Sequence, residues 1–320
     1  MIGIDVGGAN LKIVDEKGVH IHYCPLWEKA PITSILEQHV TNRDEPAAVV
    51  MSGELADCFA NKQQGISFIT GAVRKAFPSA RFYGTDARFH DTAVPQLAAA
   101  NWLASADYLQ QKYPRAILLD IGSTTADIIP LGKFDTLLGL TDLARLQKGF
   151  LLYTGMLRTN IPTLLQVVEL EGIRTPVSSE YFAISADAHL ALGTITPAQY
   201  SCDTPDHKEK TREASLRRLA RVVCADLDEI GETGALQIAR QFRDKQSGQI
   251  CDAVRNCAIS NSAGEIIVAG IGAPHFSREL GGRDLTWELG VAADALPAFS
   301  VREIAFRDRI FSGSRSGNST

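Results

Sequence analysis

The stretch IDVGGANLKIV, residues 4–14, has a counterpart in LDIGSTTADII, residues 119–129. Each segment places an aspartate in an apolar run, continues with a β-branched residue, a glycine and small residues, and then returns to an apolar run. The repeat predicts a duplicated domain in which each half contributes one acidic strand–turn–strand loop. A chance match is the alternative, because the two segments share only a short pattern.

The first loop differs from a dinucleotide-binding loop in the element that comes after it. Apolar runs at 2–6, 11–14 and 19–23 are separated by short turns, which predicts three antiparallel strands. A Rossmann glycine loop leads from a strand into a helix, whereas this one leads into a second strand. The start of the chain therefore argues against a nicotinamide or flavin dinucleotide fold.

Composition indicates an ordinary globular protein. The chain has 320 residues, of which 45% are hydrophobic and 22% charged, and its formal net charge is −5. That balance favours neither nucleic-acid nor membrane-surface binding, which usually need a basic excess. No apolar run is long enough to span a bilayer, and MIGIDVGG lacks the basic start of a secretory signal. The six cysteines lack metal-ligand spacing, so we expect a cytoplasmic protein with reduced thiols.

The length predicts two domains, 1–114 and 115–320, with the boundary at Pro114. Apolar patterns predict helices at 66–77, 95–113, 208–230 and 235–257, and strands at 47–51, 81–83, 116–120, 126–131, 149–157 and 265–273. The polar tail, residues 312–320, is predicted to be mobile. The predicted class is therefore α/β.

Small residues in both loops leave backbone N–H groups open to an anionic oxygen, which favours phosphate binding. The predicted phosphate-binding residues are Gly7, Gly8, Ala9 and Asn10 in the first loop, and Gly122, Ser123, Thr124 and Thr125 in the second. An aspartate beside such a loop would repel phosphate. Asp5 and Asp120 therefore predict a hard cation, Mg²⁺, between carboxylate and phosphate oxygens. The alternative is that each aspartate only caps a turn.

The loops, together with AGIGAPHF at 269–276, resemble the phosphate 1, phosphate 2 and adenosine motifs of the actin, sugar kinase and Hsp70 superfamily. Several segments are similar to hydantoinase/oxoprolinase-related proteins, namely IGIDVGGANLK, VVMSGELADCFANKQQGI, LLDIGSTTADIIPL, YTGMLRT and SADAHLALG. The resemblance spans nearly the whole chain. It implies two similar actin-like ATPase (ribonuclease H-like) domains with a ligand cleft between them.

Within that family the chain is most similar to the branch of tetrahydromethanopterin-linked one-carbon transfer proteins, which includes a synthase of methanofuran biosynthesis. This resemblance implies a transferase that joins an aminomethylfuran-methyl diphosphate to the phenol oxygen of γ-glutamyltyramine, and it is compatible with a homodimer. Pyrophosphate would leave with the help of Mg²⁺, and ATP is not required. An ATP-dependent small-molecule kinase or amide hydrolase is the alternative, and a nucleotide-binding regulator without chemistry is the third hypothesis.

The resemblance also directs attention to individual residues. Glu54, in SGELADCF, is the candidate base for the phenol, although a helix cap is an equally good interpretation. Lys12 stands where the larger hydantoinases have a small or acidic residue. Its ammonium group would either bind the diphosphate directly or lie exposed at the end of a strand. Asp127 would orient the metal or pair with Lys12. Arg158, in YTGMLRT, suits a carboxylate or phosphate.

Gly270 and Gly272 match the nucleotide motif of the superfamily. A GxG sequence at a strand end is also a common turn, so nucleotide binding by these glycines remains an open alternative.

Overall fold

A computed structural model describes residues 1–28, 30–42 and 44–311, so the tail at 312–320 lies outside the described residues. The strands are β1 Ile2–Val6, β2 Asn10–Asp15, β3 Gly18–Tyr23, β4 Ala47–Met51, β5 Arg81–Tyr83, β6 Phe89–His90, β7 Ala116–Ile121, β8 Ala126–Pro130, β9 Leu151–Leu152, β10 Val167–Leu170, β11 Ile173–Pro176, β12 Glu265–Ala269 and β13 Arg283–Asp284. The helices are α1 Ile32–Glu37, α2 Lys62–Ala76, α3 Asn101–Gln110, α4 Asp142–Lys148, α5 Ile161–Leu164, α6 Ser185–Ala191, α7 Arg212–Arg221, α8 Leu227–Ser260, α9 Ala273–Leu280, α10 Thr286–Leu289 and α11 Leu296–Arg307.

Two sheets repeat one topology. The first has the order β3-β2-β1-β4-β5-β6, and the second, taken from its last strand, has the order β9-β8-β7-β12-β13. In each sheet an antiparallel three-stranded meander is followed by two strands parallel to its first strand. Strands β10 and β11 form a separate hairpin. The repeated order confirms the duplication and the α/β, actin-like fold class.

A shared core joins the two sheets. Helices α3 and α11 pack on each other, and one buried cluster contains Val50 of β4, Leu103 of α3, Leu118 of β7 and Val301 of α11. Burying apolar side chains from both sheets in one cluster opposes their separation, because separation would return that surface to water. The two loops that come after β1 and β7 are thereby held in a fixed relation.

The outer faces have their own apolar clusters. Side chains of α1 and α2 cover β1, β2 and β4, while side chains of α6, α8 and α9 cover β7, β8 and β12. Within the described residues, no helix is long and apolar enough to cross a membrane. The longest, α8, is interrupted at Gly231, whose φ is +62°.

The last helix returns to the first sheet. Helix α11 contacts β1 and β4, although it lies in the segment assigned by sequence to the second domain. At Gly3 the approach is so close that an added Cβ would lie 2.1 Å from the carbonyl oxygen of Ala298. The boundary at residue 114 stays a prediction, but a helix from the end of the chain packs against the first sheet.

Several predicted elements need correction. The helix predicted at 95–113 is a short 3₁₀ turn, Pro95–Leu97, followed by α3, because Ala99 takes a left-handed φ of +47° and the Ala100 N–H donates to Met51 O at 3.1 Å. The helix predicted at 208–230 ends at Arg221, and Cys224 has a φ of +59° before Asp226 caps α8. The strand predicted at 149–157 is reduced to β9, since the following residues turn across the second loop.

The close contact at Gly3 makes a stability prediction. We expect Gly3→Ala to lower the free energy of unfolding by about 1–3 kcal/mol, because the new methyl meets backbone that cannot move without displacing α11. Gly71→Ala is the matched control, since Gly71 lies in α2 with no atom within 4 Å of an added Cβ, and should be stabilising by about 0.5–1 kcal/mol. Chemical denaturation of both variants measures the difference. Equal stability of the two variants would contradict the proposed contact.

Candidate functional site

The two acidic loops have the same backbone geometry. In the first, Asp5 lies opposite Lys12, and the N–H of Gly7 donates to the carbonyl of Asn10 at 2.9 Å. In the second, Asp120 lies opposite Asp127, and the N–H of Gly122 donates to the carbonyl of Thr125 at 3.0 Å. The matching register and turn bond show that the sequence repeat is a structural repeat.

The loops face each other across one pocket of about 190 Å³, which we call the loop pocket. The Asn10 side-chain amide donates to Ser123 Oγ at 3.4 Å, which links the loops directly. The lining consists of Asp5, Gly7, Gly8, Ala9, Asn10, Lys12, Ser52, Asn101, Asp120, Gly122, Ser123, Thr124, Thr125, Asp127, Asp142, Arg145, Leu151, Tyr153, Arg158 and Pro297. Every predicted phosphate-binding residue lies there. Glu54, Gly270 and Gly272 do not line this pocket.

Asp5 is buried and Asp120 is half-buried in the loop pocket. Burial raises the pKa of Asp5 to about 6 and that of Asp120 to about 7, although the charge of Lys12 opposes both shifts. Asp127 raises both pKa values further. Among the described residues, no group donates a hydrogen bond to Asp5 Oδ1. A carboxylate oxygen that accepts no hydrogen bond, such as Asp5 Oδ1, is the type of ligand that a hard divalent cation binds.

Lys12 lies between the acidic residues of the loop pocket. Its Nζ donates to the backbone carbonyl of Asp294 at 2.7 Å, and its charge lowers the pKa values of Asp5, Asp120 and Asp127. Lys12 lies within β2 and lines the loop pocket, so the alternative interpretation of Lys12 as an exposed residue at a strand end does not fit the structure. A direct contact between Lys12 and a diphosphate stays a prediction.

Asp127 pairs with Arg145 of α4 rather than with Lys12. The same guanidinium contacts Asp142 at 2.9 Å and lies 4.3 Å from the ring of Trp102, and Arg145 is only 2% exposed. Sequence reasoning missed Arg145, because an arginine in a short polar helix usually faces solvent. Its role depends on where α4 docks, and no local signal indicates that.

The segment YTGMLRT, residues 153–159, supports the second loop. The N–H groups of Leu157 and Arg158 donate to Ser123 O at 3.0 Å, and Met156 N–H donates to Gly122 O at 3.0 Å. Gly155 is required here, since an added Cβ would lie 2.6 Å from the backbone nitrogen of Thr124. The Arg158 guanidinium donates to Thr124 Oγ1 at 3.3 Å, which places it at the predicted phosphate loop.

A second pocket of about 550 Å³, which we call the aromatic pocket, adjoins the loop pocket. Five residues line both pockets, namely Gly8, Ser52, Asp142, Tyr153 and Arg158. The aromatic pocket adds Tyr23, Trp27 and Tyr181, and Arg158 lies 4.5 Å from the Trp27 ring. The sequence contained no signal for this pocket, since its aromatic residues come from separate segments.

Glu54 lies in the wall of the aromatic pocket. It is 1% exposed, burial raises its pKa, and among the described residues no donor reaches its Oε2. The next helix along the chain is capped by Asn61, which accepts a hydrogen bond from the Gln64 N–H. The interpretation of Glu54 as the cap of that helix is therefore wrong, whereas its role as a base stays a prediction.

Gly270 and Gly272 pack against the end of β7. A Cβ on Gly270 would lie 2.5 Å from Ile121 O and 2.8 Å from Asp120 Oδ1, and Gly270 has a φ of +82°. The two glycines therefore allow the turn after β12 to approach Asp120. Nucleotide binding by these glycines stays a prediction.

Comparison with known proteins identifies the family of this chain. The model of the hydantoinase/oxoprolinase family matches residues 45–278. The chain belongs to the hydantoinase/oxoprolinase family. Its matched region includes Glu54, the second loop and both glycines of the turn after β12.

Two archaeal relatives share one name, (4-{4-[2-(gamma-L-glutamylamino)ethyl]phenoxymethyl}furan-2-yl)methanamine synthase. The protein of Methanocaldococcus jannaschii is 35% identical over 283 residues, which cover 85% of this chain and 86% of the relative. The protein of Methanococcus vannielii is 38% identical over 168 residues, covering 52% of this chain and 76% of the relative.

Among solved structures, the nucleotide-free structure of acetone carboxylase is similar to this hydantoinase/oxoprolinase family member. The TM-score is 0.50 with 11% identity, and the match covers 94% of this chain and 69% of that one. At this identity the similarity supports the fold alone.

The raised carboxyl pKa values predict a pH-dependent stability. Because the pKa of Asp120 is about 7 in the folded protein and 3.8 ordinarily, the unfolded chain releases its proton first, and folding stability falls as pH rises between these values. Without metal, Asp120→Asn should raise the melting temperature at about pH 8, and the gain should shrink towards about pH 4. Asp135→Asn, an exposed substitution, is the control. A pH-independent effect of Asp120→Asn on the melting temperature would contradict this assignment.

Proposed function

We propose that this protein is a synthase that forms an aryl ether between a furan-methyl group and the phenol of a γ-glutamyltyramine. The proposal rests on the name shared by the two archaeal relatives, whose product contains a phenoxymethyl link to a furan. The observation that carries it within this chain is the junction of a polar loop pocket with an aromatic pocket. We place the activity in methanofuran-type cofactor assembly, within tetrahydromethanopterin-linked one-carbon metabolism.

The loop pocket suits the diphosphate of the furan donor. Backbone N–H groups of the two turns, the Lys12 ammonium and the Arg158 guanidinium supply donors and positive charge for the departing pyrophosphate. Asp5 and Asp120 would hold Mg²⁺ there, and the bound ion would supply charge neutralisation for the phosphate oxygens. Two carboxylates suffice for this role, because Mg²⁺ usually keeps several of its waters.

The aromatic pocket suits the phenol acceptor. Tyr23, Trp27 and Tyr181 offer ring faces and edges to an aromatic substrate, and the shared wall brings that substrate next to the loop pocket. In the reaction the bond between the furan-methyl carbon and the diphosphate oxygen breaks, and a bond from that carbon to the phenol oxygen forms. Pyrophosphate leaves with the electron pair of the broken bond.

We assign the role of base for the phenol proton to Glu54, which lies in the wall of the aromatic pocket. An unperturbed phenol has a pKa near about 10, so it needs a base at neutral pH. Burial raises the pKa of Glu54, which makes its carboxylate a stronger proton acceptor than an exposed one. Its Oε2 is buried and accepts no hydrogen bond from the described residues, which leaves a lone pair for the proton.

The decisive test is mass spectrometry of the products formed by purified protein with Mg²⁺, a furfuryl diphosphate and γ-glutamyltyramine, with and without ATP. We expect the ether and pyrophosphate in equal amounts without nucleotide. Asp5→Asn and Asp120→Asn should lower the rate by about 10²-fold or more, because the departing charge loses its counter-ion. Asp135→Asn is the control. Strict dependence on ATP consumption would contradict the proposal and favour an ATP-dependent kinase or amide hydrolase.

Glu54→Gln separates proton transfer from binding. We expect kcat to fall by about 10²–10⁴-fold, because glutamine cannot accept the phenol proton. Binding of magnesium pyrophosphate, measured by calorimetry, should not change, since Glu54 does not line the loop pocket. Glu279→Gln, at an exposed position, is the matched control. An unchanged kcat in Glu54→Gln would remove Glu54 from the mechanism.

A further inference from the structure

A cluster of histidines around Asp15 lies on the first sheet outside the loop pocket. Asp15 ends β2, His20 and His22 belong to β3, and His39 comes just after α1. Because β2 leads away from the first loop, Asp15 stands five residues beyond Asn10, a distance of about 16 Å along a strand. The cluster is therefore separate from the site described above.

Strand geometry brings these side chains to one face. Ile13 pairs with His20 and Leu11 pairs with His22, and alternate residues of a strand point to the same side. Asp15, two residues after Ile13, shares that side. Helix α1 covers the same face through Ile32 and Leu36 and brings His39 to the cluster.

The donor atoms converge on one point. His20 Nε2 lies 3.3 Å from Asp15 Oδ1, and His39 Nδ1 lies 3.9 Å from Asp15 Oδ2. In residues 1–28, 30–42 and 44–311 these three side chains form a set whose ligand atoms all lie within 4.8 Å of one another. A tetrahedral ion with bonds of about 2.0–2.1 Å spaces its ligands by about 3.3 Å. The His20–Asp15 distance matches this spacing, and the His39–Asp15 distance is somewhat longer.

We propose that Asp15, His20 and His39 bind a divalent transition-metal ion, zinc in particular. Two imidazoles and one carboxylate bind zinc in preference to magnesium or calcium, which favour oxygen ligands. Three protein ligands leave the fourth position of a tetrahedral ion for water.

Backbone hydrogen bonds orient the Asp15 carboxylate. The Lys17 and Gly18 amides donate to its Oδ1 at 2.7 Å and 3.0 Å, which holds the carboxylate in place beside the two imidazoles. An ionised carboxylate and a neutral imidazole are the forms that coordinate metals.

His22 completes the arrangement without being a ligand. Its Nε2 lies 2.9 Å from His39 Nε2, on the side of the ring away from Asp15. When His39 Nδ1 holds the metal, its Nε2 carries the proton and donates to His22. Such a partner fixes the tautomer and orientation of a metal ligand. The bound ion would join the β2–β3 hairpin to the end of α1.

The test is equilibrium dialysis of the metal-stripped full-length chain against Zn²⁺, with excess Mg²⁺ to occupy the loop pocket, followed by elemental analysis. We expect one Zn²⁺ per chain. His22→Gln should weaken binding by about 10–100-fold, and His20→Asn and His39→Gln by at least as much, since they remove direct ligands. Asp5→Asn/Asp120→Asn should retain the ion.

His90→Gln is the matched control, because His90 pairs with a single carboxylate, that of Asp86, at 3.0 Å. Circular dichroism verifies that each variant is folded, and Co²⁺ absorption of the wild type reports whether imidazole ligands surround the ion. Equal Zn²⁺ binding by wild type, His39→Gln and His20→Asn would overturn the proposal. So would the absence of stoichiometric binding by the wild type.

Discussion

Two carboxylates in one poorly solvated pocket are the constraint on which this site depends. Asp5 and Asp120 both have raised pKa values. Ionising either side chain without a nearby positive charge lowers the stability of the folded protein. Lys12 offsets part of that cost, but it also donates to the Asp294 carbonyl and stands among several acidic groups. When all four aspartates of the loop pocket are ionised, they outnumber its three cationic side chains, Lys12, Arg145 and Arg158. Under the proposed function, a divalent ion held by Asp5 and Asp120 would offset the carboxylate charge and pair with the diphosphate oxygens.

The shared core explains how this arrangement is maintained. Each acidic turn belongs to a different sheet, so their distance depends on how the sheets are joined. Helices α3 and α11 bury side chains from both sheets in one cluster, and the close approach at Gly3 fixes α11 on β1. Weaker packing in this cluster would let the turns move apart. The affinity of the loop pocket for its proposed ligand would then fall even with every loop residue unchanged. Stability of the core and chemistry of the site are linked through these helices.

The sequence predicted what is local and missed what depends on docking. The acidic loops, the meander and most strands depend on residues adjacent in the chain, so their patterns were readable. The prediction of a helix at 95–113 was wrong in its first half, because the alanine-rich sequence favours a helix by intrinsic propensity. In the structure Ala99 instead adopts a left-handed conformation, and the adjacent Ala100 amide donates a hydrogen bond to β4. Arg145 and Trp27 reach the pockets from segments with no motif. Their contribution appears only when α4 and the segment after β3 have packed against the loops.

The two acidic loops have the same backbone geometry but different side-chain charges. This difference makes the loop pocket electrostatically asymmetric. Lys12 and Asp127 occupy the same register position opposite the two loop aspartates. The first half therefore presents a cation beside its turn, while the second presents a carboxylate that is already paired with Arg145. Under the proposed function, a diphosphate bound between the turns would meet unequal electrostatic surroundings at its two phosphoryl groups. The aromatic pocket opens beside Gly8 and Arg158, so in the proposed reaction the substituted end of the diphosphate would face it, and the different charges of Lys12 and Asp127 would distinguish the two ends.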